Sequence, residues 1–97
     1  MIYPDRDYDG EAAFEKALKQ VEGVTDVKGY VLVNNTGWTF SKNGFRFDVR
    51  FWANCYGVYV GAYELMGSSE FYAAGNKLPK GHSSTNLEEI LSAIKAL

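Results

Sequence analysis

Cysteine and histidine are almost absent from this chain, with Cys55 and His82 the single example of each. A lone cysteine excludes an internal disulfide framework, and the two residues together fall short of the four ligands of a structural zinc site. A surplus of one charge is lacking too: ten basic against twelve acidic side chains leave a net charge of −2. That excludes the broad basic footprint of a dedicated duplex-DNA binder and the acid load of a DNA mimic. No window approaches the roughly 18 apolar residues of a membrane span. Residues 1–7 lack the basic start and apolar run of a secretory signal. The expectation is a cytoplasmic, reduced protein with no membrane association. Asn34-Asn35-Thr36, a glycosylation acceptor by pattern, then reads as a turn.

What the chain does have is the composition of a folded protein: 46% of its 97 residues are hydrophobic and 23% charged. Against an average of about 150 residues per domain, residues 1–97 form a single domain. A chain of this size buries roughly 60–65% of its unfolded surface, enough for one core. No internal repeat or low-complexity stretch divides it.

Phe14, Ala17, Leu18 and Val21 recur at helical spacing, which predicts a first helix. Asp9 is its expected N-cap, and Gly23 suits the left-handed position after its end. Residues 27–65 predict a four-stranded antiparallel meander. Asn43-Gly44 specifies a type I′ turn that sets Lys42 opposite Phe45, Phe40 opposite Phe47 and Trp38 opposite Val49. A turn within 34–37 would pair Val33 with Trp38 and Val31 with Phe40. A turn at Asn54-Cys55 would pair Phe51 with Val58, Val49 with Val60 and Phe47 with Ala62. Each of these registers puts the apolar residues on one face. A short fifth strand is expected near 70–74. Leu87, Ile90, Leu91, Ile94 and Leu97 then form a last amphipathic helix, capped by Thr85 or Asn86. The fold class is therefore α+β: a two-layer sandwich in the order α-β-β-β-β-(short β)-α, with both helices on one face of an antiparallel meander sheet.

Helices on one face leave the other open. The predicted register places Lys28, Tyr30, Leu32, Thr39, Ser41, Arg46, Asp48, Arg50, Trp52, Tyr59 and Tyr63 there. Aromatic rings interleaved with guanidinium groups occur at protein interfaces, where Tyr, Trp and Arg carry much of the binding energy. They also occur where single-stranded nucleic acid stacks on a sheet, at roughly 1–3 kcal/mol per base. The same pairs also stabilise neighbouring strands, at about 0.2–1 kcal/mol each. With Asp48 among only three cations, a protein partner or self-association is expected over a nucleic acid. The candidate binding residues are Tyr30, Arg46, Arg50, Trp52, Tyr59 and Tyr63.

Three motifs suggest other chemistry. Asp5, Asp7 and Asp9 followed by Gly10 match the first half of a calcium loop, but Lys16 stands where the bidentate glutamate belongs. Residues 77–85, with Lys80, His82 and Ser83 ahead of the last helix, have the composition of an anion-binding loop without P-loop spacing. Cys55 with His82, or Ser83 with His82, lacks an orienting acid at a defined spacing. No metal or cofactor is expected. The leading expectation is a small non-enzymatic binding module that recognises another protein through the open face, with a stand-alone inhibitor as one form of it. A single-stranded nucleic-acid binder and a small enzyme or anion-binding domain using the 77–85 loop are the alternatives.

Overall fold

The structure is a computed structural model that describes residues 7–32, 35–52 and 61–97. Its elements are α1 (Tyr8–Lys19), β1 (Thr25–Val31), β2 (Thr36–Lys42), β3 (Phe45–Phe51), β4 (Tyr63–Gly67), α2 (Ser69–Ala73), β5 (Ser83–Ser84) and α3 (Leu87–Lys95). The strands form one sheet in the order β1-β2-β3-β4-β5, with every neighbouring pair antiparallel. The fold is α+β, with α1 ahead of the strands and α3 closing the chain.

Local chemistry explains where the elements begin and end. Asp7, not Asp9, caps α1: its Oδ1 accepts the Gly10 N–H at 2.9 Å. Asp9 and Glu11 then fall in the first turn, where carboxylates favour the positive end of the helix dipole. Gly23 takes φ 82 as the chain leaves the turn that follows α1. Asn43 and Gly44, at φ 56 and φ 82, make the two-residue hairpin turn between β2 and β3. The pairs Lys42–Phe45, Phe40–Phe47 and Trp38–Val49 follow as that turn dictates.

Three expectations need correcting. β1 pairs with β2 four residues out of the expected register, with Gly29 opposite Trp38 and Val31 opposite Thr36. An even shift leaves every side chain on its face, so the alternation alone did not select between the two. β4 pairs with β3 as Val49–Leu65 and Phe47–Gly67, not through Val60 and Ala62. That shift of five is odd, so it turns Tyr63 and Leu65 inward and Glu64 and Met66 outward. Finally, residues 70–74 are not a strand. Ser68 caps the short helix α2 there, and the fifth strand is the two residues Ser83–Ser84. The expected Asn54-Cys55 turn, with Val58 and Val60, lies outside the described residues.

The core occupies the space between the sheet and the pair α1 and α3, which pack against each other and against β1 and β4 respectively. Phe40, Val49, Phe51 and Leu65 from the sheet meet Leu18, Ile90 and Ile94 from the helices, all at most 1% exposed. Aromatic rings pack through this core: Phe14 of α1 lies 4.8 Å from Trp38 of the sheet, and within the sheet Phe51 lies 4.9 Å from Tyr63. Phe71 of α2 meets Phe47 edge-on at 5.0 Å, across Gly67.

Lys42 is the unexpected member of this layer. It is 7% exposed, and its Nζ donates to the main-chain oxygens of Ile94 at 2.8 Å and of Lys95 and Leu97 at 3.3 Å. The ammonium group adds a donor to main-chain oxygens at the end of α3, where Ile94 O also accepts the Leu97 N–H at 3.1 Å, and it favours the negative end of the helix dipole.

Candidate functional site

The face of the sheet turned away from α1 and α3 is lined by strand and connecting residues. Register sets its rows. Tyr30, Gly37, Arg50 and Glu64 lie abreast across β1 to β4, and Lys28, Thr39, Asp48 and Met66 form the next row. Ser41 and Arg46 follow on β2 and β3. At the other end Leu32 and Asn35 close the β1–β2 pairing, with Leu32 N donating to the Asn35 carbonyl at 2.7 Å. Trp52 continues the alternation one residue past β3 and is 43% exposed. A shallow groove of about 700 Å³ runs along this face, lined by Lys28, Tyr30, Leu32, Asn35, Thr39, Arg46, Asp48, Arg50, Met66 and Ser68 among others.

Gly37 shapes the middle of the groove. A Cβ there would run into the Val49 carbonyl and stand 3.0 Å from the Tyr30 hydroxyl. Without one, the Tyr30 ring reaches across β2 and its hydroxyl donates to Asp48 Oδ1 at 2.9 Å. This bond joins β1 to β3 over the strand between them. Burial, followed by the Asp48 hydrogen bond and charge, pushes the Tyr30 phenol up to about 12. Burial also holds Asp48 above the usual carboxylate range, against the opposing pull of the Tyr30 hydrogen bond and of the Arg50 charge. Arg46 is engaged as well: its guanidinium donates to Ser41 Oγ at 2.8 Å and pairs with Asp26 at 3.3 Å. Both side chains of that pair are well exposed, so its contribution to stability is small.

Of the six residues singled out from the sequence, Tyr30, Arg46 and Arg50 line the groove. Trp52 stands beside Arg50 in the strand alternation, at the apolar end that Leu32 shares. Tyr63 is corrected: it faces the core, 4% exposed against Phe51, because the β3–β4 register is shifted by an odd number. Tyr59 lies outside the described residues. The residues missed are Glu64 and Met66, which the same register shift brings to the open face. Their signal was weak, since apolar residues stand on both alternations of residues 56–65.

The remaining motifs serve the fold where they are described. Asp7 caps α1, Asp5 lies outside the described residues, and those residues hold no group of three or more His, Cys, Asp and Glu able to ligate a metal. His82 Nδ1 lies 3.0 Å from the Pro79 carbonyl, so that nitrogen carries the proton and donates within its own loop. Ser84 Oγ accepts the Asn86 N–H at 3.0 Å, and Asn86 in turn caps α3 through a 2.8 Å bond from the Glu88 N–H. Cys55, the only thiol, lies outside the described residues. No family model matches the chain, and neither a curated protein nor a solved structure matches it.

Proposed function

We propose that this chain is a small binding module that recognises another protein through the open sheet face. The observation that carries this reading is the groove of about 700 Å³ on a sheet face that no described helix covers, flanked by exposed Leu32 and Trp52. An aromatic and an aliphatic side chain left in water beside half-buried Arg50 and Tyr30 have the composition of an interface hot spot. The charges of the face are balanced internally. Arg46 pairs with Asp26, Asp48 interacts with Tyr30 and Arg50, and Glu64 lies opposite Arg50 in the sheet. A balanced face suits a partner with mixed polar and apolar chemistry better than a phosphate backbone. A module of this kind acts by covering its partner's surface, which is how a stand-alone inhibitor would work. A reduced, cytoplasmic setting suits a chain with one cysteine.

Three cations in one groove favour the second reading, single-stranded nucleic acid stacked along Tyr30 and Trp52. Affinity capture with the wild type and with an Arg50→Ala, Trp52→Ala double variant, beside an oligonucleotide titration at two salt concentrations, separates the two. The proposal expects a protein that the wild type retains and the folded double variant loses, with little oligonucleotide binding at either salt. Retention of that protein at full strength by the double variant would overturn the site. Oligonucleotide binding that weakens steeply with salt and vanishes in an Arg46→Ala, Arg50→Ala variant would replace it with the nucleic-acid reading.

A further inference from the structure

Among the described strands β1 is an outer one, hydrogen-bonded to β2 on one side. Its bonding parity follows from a single contact, the 2.7 Å bond from Leu32 N to the Asn35 carbonyl. Residues that bond inward alternate along an antiparallel ladder, so Leu32, Tyr30 and Lys28 direct their main-chain groups at β2. Gly29 and Val31, between them, direct N–H and C=O out of the sheet. Such a row is a template for another strand unless the edge is blunted. At its start β1 is blunted, because Asp26 adopts φ 60 where the register slips between Thr25 and Lys28. From Lys28 onward the strand pairs in regular register.

Apolar exposure gathers at the same edge. Val31, Leu32 and Tyr8 are 80%, 62% and 59% exposed, the highest values among the large hydrophobic side chains described. Tyr8 and Val31 line one cleft with Gly29. Gly29 leaves a notch in that cleft: a Cβ there would meet only the flexible end of Glu15 at 3.2 Å and the Trp38 ring at 3.8 Å before the next backbone atom.

We propose that the β1 edge pairs antiparallel with the β1 edge of a second copy of this chain, across a two-fold axis at Tyr30. In that register Gly29 of each copy lies opposite Val31 of the other, and each such pair exchanges two main-chain hydrogen bonds. The Val31 side chain of one copy enters the notch above the other's Gly29, beside Tyr8. The contact is its own complement, because one strand supplies both the notch and, two residues on, the β-branched side chain that fills it. That self-complementarity selects a second copy over an unrelated strand. The blunted start of β1 stays outside the pairing, and the two open faces point to the same side of one continuous sheet. A contact of about five residues per copy is smaller than the usual interface of roughly 1,600 Å², so the dimer forms reversibly and depends on concentration.

Sedimentation equilibrium of the full chain over about a hundredfold range of concentration tests this. The wild type is expected to rise from the mass of one chain toward that of two, with the Gly29 and Val31 amides slow to exchange only where the dimer forms. Val31→Pro removes an outward N–H without touching the β1–β2 bonds, and Gly29→Val fills the notch while keeping its N–H. Both are expected to weaken association by at least about tenfold. If Val31→Pro does not fold, Gly29→Val decides. A wild type that stays monomeric, whether those amides exchange freely or are protected by another segment of the same chain, overturns the proposal. So does either folded variant associating as strongly as the wild type. The Arg50→Ala, Trp52→Ala variant is expected to dimerise normally, which keeps this inference separable from the reading of the open face.

Discussion

Tyr30 and Asp48 show what one pair of side chains does at the centre of the open face. The neutral phenol is favoured in the folded chain, since its value rises from 10.0 to about 12, chiefly through burial. A group raised in this way contributes fully below its ordinary value and loses that contribution as pH climbs from about 10 toward 12. Alkaline unfolding should therefore be less steep in Tyr30→Phe than in the wild type. Asp48 is also raised, by burial first, so its charge opposes folding at neutral pH and ceases to do so as pH falls through its folded value. Asp48→Asn keeps an oxygen to accept from Tyr30 and discards that charge. Thermal melts at neutral pH should place it level with or above the wild type, whereas Asp48→Ala loses about 1 kcal/mol. An Asn variant destabilised as much as the Ala variant would mean that the charge, not the hydrogen bond, holds the pair.

Between elements, Lys42 ties β2 to the end of α3. Its three main-chain contacts lie in the last turn and beyond it, where the i+4 pattern of the helix has ended, although Ile94 O also accepts the Leu97 N–H at 3.1 Å. Lys42→Met keeps the apolar stem and removes the donors, and it should cost about 1–3 kcal/mol in urea unfolding. A loss near zero would mean that water serves those carbonyls equally well. Nothing local in the sequence pointed to this role, because Lys42 stands beside a hairpin turn where a lysine is ordinarily solvated.

The legibility of the sheet varied in the same way, by whether a turn was written in its residues. Asn43-Gly44 specifies one register, and β2 and β3 follow it. Asn34, Asn35, Thr36 and Gly37 admit several turns, and an even shift costs the pattern nothing, so β1 slid by four with its faces intact. Residues 56–65 carry apolar side chains on both alternations, and there the odd shift moved Tyr63 from the expected binding face into the core. Ser83–Ser84 is too short to have a period at all. In α2 the capping side chain of Ser68 prevailed over the strand-like aromatic pair Phe71 and Tyr72.

At the scale of the whole molecule the two layers divide the work. The helices and the inward side chains hold the core, and the open face, which no described helix covers, is grooved and charge-balanced. The face survived the errors in register because three of its residues, Tyr30, Arg46 and Arg50, sit on β1 and β3, whose parity was read correctly. The most direct test of its role is site-specific photo-crosslinking in cells. A photoreactive phenylalanine analogue replaces Glu64, exposed on the open face in the row of Tyr30 and Arg50, or Glu22, exposed at the end of α1's turn. The account predicts a discrete protein adduct from position 64 that position 22 does not give. Equal adducts from both positions, or one from position 22 alone, would contradict it.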